Sequence, residues 1–515
     1  MDKEIVLEKE LEKHFQFTSF REGQKEIIQD VLNGKNVLGI LPTGSGKSIC
    51  YQLPSVLLEG LTIVISPLIS LMIDQVKKLK AHNFKKVASL NSFMNPMERR
   101  RVINNMHQYN LLFVSPELLQ QEHIMKLLQR LQISLFVIDE AHCISQWGHE
   151  FRPDYLRLSG IIEKLGNPTI LALSATATPS VQDDIISSLK KPKMRKHVYP
   201  MDKPNISFCV DKLENEQEKI EKIVELLSTY RVPTLIYFSS RNTAENVAKL
   251  LSEKLKEVQV AFYHAGMEPS DRMIIQQQYM NDQLDVICCT SAFGMGIDKA
   301  NTRLIIHYHV PLQLESFIQE IGRAGRDGKS SVSLLLFSRQ DINMPSNMIK
   351  NELPGQSVLS IVYQYLHHLY NEGKDLPDEE VEIENILQIN EIQWRFLRYQ
   401  LEKHGIIKEN KIIATPETWK DVFQSIFHII KSRNKHKENK LAEMLKWIHD
   451  DNCLRQSLYK SFQPFSSQAT YQCCSNCGFS WNEWVPEQTV TEVKRQSNWQ
   501  IQLKRLLIGD TNETK

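Results

Sequence analysis

Val37-Leu38-Gly39-Ile40, running into Leu41-Pro42-Thr43-Gly44-Ser45-Gly46-Lys47-Ser48, decides how the rest of the chain is read. The first four residues, after Asn36, are a short apolar run of the kind that makes a buried parallel strand. Ile49-Cys50-Tyr51-Gln52-Leu53 can open a helix behind them. Strand, Gly-rich loop and helix is the layout of a phosphate cradle. Gly44 and Gly46 let backbone N–H groups curl around phosphate oxygens, and the helix N-terminus adds the positive end of its dipole. Pro42, Thr43, Gly44, Ser45, Gly46, Lys47 and Ser48 are the candidate nucleotide-binding residues. Lys47 would reach the β- and γ-phosphates, and the Ser48 hydroxyl would ligate Mg²⁺. The general pattern opens with Gly, where this chain has Leu41. A chance Gly/Ser turn before a helix is the rival reading, and residues further along weigh against it.

A chain of 515 residues predicts several domains. Apolar content of 42% and charged content of 24% are those of an ordinary globular protein. No apolar run is long enough to span a bilayer, and Met1-Asp2-Lys3-Glu4 lacks the apolar core of a signal peptide. A cytoplasmic location is expected, with no membrane partner. Net charge is +1, so any nucleic-acid contact must come from local patches. Of nine cysteines, Cys50, Cys143, Cys209, Cys288 and Cys289 read as reduced core residues. Cys453, Cys473, Cys474 and Cys477 cluster and ask for a metal or redox explanation.

Apolar runs at 37–41, 61–66, 111–115, 135–138 and 169–173 alternate with helical stretches, which predicts a parallel sheet covered on both faces. Ligands bind beyond the C-terminal ends of such strands. Asp139-Glu140-Ala141-His142 follows the run ending at Ile138. Asp139 is placed to hold Mg²⁺ and Glu140 to take a proton from the attacking water. Ser174-Ala175-Thr176-Ala177-Thr178 follows the next run and can link nucleotide state to a neighbouring domain.

These residues resemble a superfamily-two helicase motor, and in detail the RecQ family of DNA helicases in its short bacterial form. Phe17-Thr18-Ser19-Phe20-Arg21-Glu22-Gly23-Gln24 is similar to that family's adenine-reading motif, which implies that Gln24 reads adenine with Arg21 and Phe17 packed nearby. The stretch 142–155 is similar to the aromatic-rich loop by which the family senses single-stranded DNA, with Glu150 where Asp is usual. Physically, Trp147 and Phe151 offer stacking faces and Arg152 a phosphate contact.

In the second domain, Thr234–Tyr237 and Asp285–Thr290 read as buried strands, the first running into Phe238-Ser239-Ser240-Arg241 and the second into a Gly-containing loop at 291–298. Gly294 and Gly296 permit close backbone approach to DNA or nucleotide. Gln319-Glu320-Ile321-Gly322-Arg323-Ala324-Gly325-Arg326 follows. Arginines three apart share a helix face, so Arg323 and Arg326 can both point across an interdomain cleft as arginine fingers. The resemblance, covering roughly residues 15–340, adds Gln319 to the catalytic set. It implies DNA contacts at Ser66, Pro67, Ser239, Arg241 and Thr290.

The remaining third is read as mostly helical. Helices over 356–370, 381–389 and 391–404, then a hairpin over 406–413, predict a winged-helix-like module. Trp394, Arg395 and Arg398 would lie on its third helix, with DNA contact and protein docking both open. Lys431 to Lys440 is the most basic run and a candidate for phosphate contact. Residues 436–462 resemble the helical hairpin that enters the RecQ zinc module. Cys453, Cys473, Cys474 and Cys477 are its candidate ligands, with Ser480 where a further cysteine is expected. Zn²⁺ and a degenerate site packed by Tyr471, Phe479, Trp481 and Trp484 both stay open. A tail helix over 492–515 is expected, with no further domain after it.

The predicted class is thus α/β: two tandem RecA-like parallel-sheet motor domains, at 1–199 and 200–340. A winged-helix-like module at 341–430, a hairpin and zinc-module-like segment at 431–485 and a tail at 486–515 follow. The resemblance implies an ATP- and Mg²⁺-dependent DNA helicase, 3′→5′ in polarity, acting on single-stranded and duplex DNA in recombination and repair. Its partners would be recombination, repair or single-strand-binding proteins. A nucleoid-associated monomer is expected. An RNA helicase on the same motor, and an ATP-gated clamp that does not unwind, are the alternatives.

Overall fold

The strand before the Gly-rich loop, β1 (Val37–Ile40), lies inside a sheet with β2 (Leu61–Ile65), β3 (Val87–Leu90), β4 (Leu111–Val114), β5 (Ile133–Ile138), β6 (Thr169–Ser174) and β7 (Arg195–Val198). The order is β3-β4-β2-β5-β6-β1-β7 and every pairing is parallel. The computed structural model describes residues 6–145, 152–293, 299–463 and 465–486. Alternate residues of the buried strands feed opposite faces, as the two-residue period requires. Val64, Leu135 and Val137 pack under the N-terminal helices with Leu11, Ile27 and Leu53. Ile63, Ile65, Phe136 and Ile138 pack on the other side with Leu158, Ile161 and Ile185. Strands β3 and β7 carry no apolar run: β7 is Arg-Lys-His-Val at a sheet edge, mostly solvent-facing.

A second all-parallel sheet contains β8 (Ile206–Lys212), β9 (Thr234–Tyr237), β10 (Val260–Tyr263), β11 (Val286–Cys289), β12 (Leu304–His307) and β13 (Ser331–Phe337). Its order is β10-β11-β9-β12-β13-β8. One continuous apolar cluster runs from the first sheet through Tyr237, Ile287, Phe317 and Ile321 of the second to Trp447, Leu454 and Phe462 near the C-terminus.

Helices Gln356–Glu372, Glu380–Leu387 and Glu391–Lys403 and a hairpin of β14 (Ile407–Lys408) and β15 (Lys411–Ile412) form the helical module. Gly405, at φ +70°, ends the third helix in the left-handed region that favours glycine. Trp394 is buried in the module's core with Trp419. Arg398 pairs with Glu380 and Glu402, and Arg395 with Glu391 and with Glu117 of the first domain. The Arg395–Glu117 pair ties the module to the chain's own first domain.

A 30-residue helix, Trp419–Ile448, joins this module to the next. Its first half (Phe423, Ile426, Ile430) sits in the module core, and its second half (Leu441, Met444, Trp447) in the large cluster. The basic run lies on this helix, where Lys431 and Lys435 are exposed and Arg433, Lys437 and Lys440 have carboxylate partners. Lys437 and Arg433 reach Glu352, and Lys440 bonds Glu315 and Glu443 at 3.0 Å each. The cysteine segment then lies along the open edge of the second sheet. Phe208 N–H donates to the Cys473 carbonyl at 3.1 Å, and the Ser207 hydroxyl to the Gln472 carbonyl at 2.6 Å. Buried Arg455 fixes that edge, bonding Asp202 and the carbonyls of Lys203 and Ile206 over the Phe208 ring. Phe479, Trp481 and Trp484 pack with Tyr230, whereas Tyr471 is half exposed and stands outside that group. No helix among the described residues is long and apolar enough to cross a membrane.

Candidate functional site: a nucleotide cleft between two sheets

The loop after β1 turns through Gly44 (φ +82°) and Gly46 (φ +76°) and enters the helix Ile49–Leu57. Two cavities meet on it. One, of about 300 Å³, is lined by Thr43, Gly44, Lys47, Ser48, Asp139 and Glu140 from the first domain and by Gln319, Arg323 and Arg326 from the second. The other, of about 320 Å³, is lined by Phe15, Phe17, Arg21, Gln24, Gln52 and His82. Arg21, Gly46, Ser48 and Gln75 line both. The shape suits a nucleoside triphosphate, with its base in the second cavity and its phosphates in the first.

The base cavity is tied to the phosphate loop. Gln24 donates both amide hydrogens to loop carbonyls, Ser45 at 2.8 Å and Gly46 at 3.0 Å, and its Oε1 accepts from Arg21 N–H at 3.0 Å. Arg21 donates to the Gly44 carbonyl. To read a base with its amide N–H, Gln24 must release one loop carbonyl, so base occupancy and loop shape are linked. Phe17 is half exposed at the mouth of this cavity.

Asp139 follows β5 and is anchored by its N–H to the Ile65 carbonyl at 2.9 Å. Burial pushes its carboxyl up to about 7, with Glu140 adding to the effect and Lys47 opposing it. Such a buried acid beside a second carboxylate fits a cation, whose charge would reverse that shift. The donor set of Asp139 with the Ser48 hydroxyl therefore suits Mg²⁺. Glu140 sits in the left-handed region at φ 49°, an uncommon conformation for this residue type. Its Oε1 is 4.0 Å from Lys47 Nζ and its Oε2 is 3.4 Å from His142 Nδ1. The same His142 nitrogen lies 2.9 Å from the Ser174 hydroxyl. His142 thus stands between Glu140 and Ser174, the last residue of β6.

Across the cleft, the turn bearing the arginines is pinned from below. Lys203 Nζ bonds the Gly322 carbonyl at 2.5 Å, Asn205 bonds the Gly325 and Lys329 carbonyls at 2.8 Å each, and Arg303 grips Asp327 with two hydrogen bonds. The fit to the phosphate loop is close. A Cβ on Gly322 would stand 1.7 Å from Thr43 Oγ1, and one on Gly44 would stand 3.1 Å from Arg326 Cγ. The sequence named both arginines but not Gly322, Lys203, Asn205 or Gln75. Gly322 was detectable, since it stands between Gln319 and Arg323 in the same motif. The others carry no local signal.

The expected DNA contacts occupy the C-terminal ends of strands in both sheets. Ser66 and Pro67 follow β2 and are buried, and the Ser66 hydroxyl has no partner. Ser239 N–H donates to His309 Nδ1 at 3.1 Å, the Ser240 hydroxyl caps the helix Arg241–Lys254, and Arg241 is exposed at its first turn. Thr290 follows β11 and donates its N–H to the Tyr263 carbonyl at 3.2 Å. Arg152 N–H donates to the Cys143 carbonyl at 3.1 Å. Trp147, Phe151, Gly294, Gly296 and the tail at 487–515 lie outside the described residues.

At the far end, the sulfurs of Cys453, Cys473, Cys474 and Cys477 all lie within 4.8 Å of one another. Cys453 and Cys473 are 3.6 Å apart, Sγ to Sγ. A tetrahedral zinc thiolate with Zn–S of about 2.3 Å has edges of about 3.8 Å, so the donor set fits Zn²⁺ without Ser480.

Residues 21–185 match the DEAD/DEAH box helicase family, and residues 218–328 match the helicase conserved C-terminal domain. The chain is 38% identical to the protein called Probable ATP-dependent DNA helicase RecS of Bacillus subtilis strain 168, over 98% of this chain and 99% of that one. It is 41% identical to the ATP-dependent DNA helicase RecQ of the same organism, over 65% of this chain and 57% of the other. Among solved structures it resembles Mycobacterium smegmatis helicase Lhr bound to single-stranded DNA and AMP-PNP, with TM-score 0.55, 20% identity and coverage of 70% and 52% of the two chains. It equally resembles Mss116p bound to single-stranded RNA and AMP-PNP, with TM-score 0.57, 17% identity and coverage of 89% and 94%. At those identities the likeness is one of fold.

Proposed function

The chain belongs to the RecQ family of ATP-dependent DNA helicases, and from that premise we propose that cleft closure on ATP drives 3′→5′ movement along single-stranded DNA and unwinds the duplex ahead. The observation that carries this is the shared phosphate cavity, where Lys47, Asp139 and Glu140 from one sheet meet Gln319, Arg323 and Arg326 from the other. In the proposed cycle Lys47 holds the β- and γ-phosphates. Water attacks the γ-phosphorus and gives its proton to Glu140, while the bond to the bridging oxygen breaks and ADP leaves with the electron pair. Arg323 and Arg326 stabilise the charge that builds on the transferring group, a role worth ~10³–10⁵ in rate elsewhere. Ser48 and Asp139 would hold Mg²⁺, which supplies charge neutralisation at the phosphates when bound.

Because the arginines sit on the second domain, hydrolysis depends on closure. The His142–Ser174 hydrogen bond offers a route from the acid pair to the interdomain segment. Ser66, Pro67, Arg152, Ser239, Arg241 and Thr290, with Trp147 and Phe151, would grip the strand. The four cysteines would hold a structural Zn²⁺ that staples the C-terminal hairpin to β8. We assign the chain to five parts at the boundaries expected from sequence, with one helix shared by the third and fourth. We read it as a monomer acting at the nucleoid in recombination and repair.

Glu140→Gln tests the chemistry. Its neutral amide cannot take the proton, so DNA-stimulated ATP hydrolysis should fall by at least about 10² while ATP binding persists. Hydrolysis at the parent rate would remove Glu140 from the role.

A further inference from the structure

The outer edge of the first sheet carries an exposed patch that none of these roles uses. The loop after β3, Asn91-Ser92-Phe93-Met94-Asn95, leads into the helix Pro96–Asn104. Phe93 is 66% exposed and Met97 83%. That helix turns Arg99, Val102 and Ile103 toward the domain, with Arg99 bonded to Gln121 at 2.5 Å. Met97, Arg100 and Arg101, three and four residues apart, share the outward face. Arg100 and Arg101 make no ion pair among the described residues.

Three features point this patch toward a ligand. First, it stands at the C-terminal end of β3, in line with the loops after β4 and β2, on the side where such sheets bind. Second, the neighbouring loop holds an unanswered polar group: Ser115 is 2% exposed and its hydroxyl has no partner. Ser115 N–H donates to the Leu90 carbonyl at 3.1 Å, which ties the Ser115 backbone to the strand end that leads into the Phe93 loop. The next hydroxyl along, Ser66, is likewise buried and unpartnered. Third, the loop holds its shape through buried Asn91, whose Oδ1 accepts from Phe93 N–H at 3.0 Å. An exposed aromatic face on a loop that leads into a helix with two outward arginines, at the strand ends where such sheets bind, is what a single nucleic-acid strand recognises through base stacking and phosphate contact.

We propose that Phe93 is a base-stacking platform, with Arg100 and Arg101 as its phosphate contacts, that carries the single-stranded DNA track across the outermost strand of the first domain. The proposal rests on the helicase reading above and adds to it a site at the end of the track.

The test is equilibrium binding of the full chain to oligothymidylates of graded length by fluorescence anisotropy, with DNA-stimulated ATPase in parallel. Phe93→Ala should weaken binding of long oligonucleotides about tenfold, as loss of one base–aromatic stack does. It should leave the shortest stimulating oligonucleotides within about twofold. A single abasic position moved along a long strand should weaken the parent protein at one place and leave Phe93→Ala unmoved there. Phe93→Trp should restore affinity, and Arg100→Ala with Arg101→Ala should flatten the salt dependence by about two charges. Equal binding by parent and Phe93→Ala at every length would overturn the platform, as expected if the patch docks a protein. A deficit that persists at every abasic position would overturn it too. If the parent itself neither binds single-stranded DNA nor hydrolyses ATP in response, the helicase reading fails instead.

Discussion

Gly322 has φ −60°, a value any residue adopts, so its requirement for glycine is purely one of space. A methyl there meets Thr43 Oγ1 at 1.7 Å and Thr43 Cβ at 3.0 Å. Gly322→Ala should therefore hold the arginine turn off the phosphate loop, leaving the backbone unstrained. Steady-state kinetics should show kcat reduced by at least about 10², the scale of a misplaced transition-state contact, with ATP affinity changed far less. Adding Thr43→Ala should recover part of the loss. Parent-like kcat in Gly322→Ala would mean that the two surfaces do not meet during hydrolysis. At this scale the sequence was most legible where function constrains a motif. Lys47, Asp139, Glu140, Gln319, Arg323 and Arg326 were all named, and one cavity gathers them. The supports beneath them were not, because Lys203, Asn205 and Arg303 act through backbone carbonyls and an acid far away in the chain.

Elements show the same division. Apolar strands such as β2 and β4 announce themselves, whereas β7 is a polar edge strand whose pairing with β1 supplies the signal its composition lacks. Within the basic run at 431–440, the carboxylate partners of Arg433, Lys437 and Lys440, Glu352 and Glu315, sit on other helices that local sequence cannot bring near. The element beyond β12 carries a pH dependence. Burial, with help from Lys219 and against Asp341, drives His309 down to about 4. The unfolded chain would titrate near 6.5. Between those values the unfolded state binds more protons, so stability falls as pH falls through that window. From pH 7.5 to 5 the loss from this group is about 2 kcal/mol. His309→Asn should flatten the urea-midpoint profile over that range. An unchanged slope would show that His309 titrates normally.

For the whole molecule, the helical module belongs to both halves of the motor. The helix Trp419–Ile448 fixes it to the second domain and the C-terminal hairpin. Its third helix meets the first domain through Arg395–Glu117, Arg157–Glu402 and Tyr399 beneath Arg157. Sequence could list the module's helices, but not this docking, which depends on surface pairs between distant segments. The cysteine segment is hydrogen-bonded to β8 in the same assembly. Metal analysis should find about one zinc per chain, and chelation should lower the melting temperature while leaving ATP binding to the first domain in place. A chain that melts identically with and without chelator would return the cluster to plain packing. The central claim, that cleft closure moves DNA, is tested most directly by following ATP hydrolysis and strand separation together. The substrates are duplexes bearing a 3′ DNA tail, a 5′ DNA tail or an RNA tail. Stimulated hydrolysis and unwinding are expected from the 3′ DNA tail alone. Stimulated hydrolysis without strand separation on any substrate would contradict that claim, leaving an ATP-gated clamp, and unwinding only from the RNA tail would make the same motor an RNA helicase.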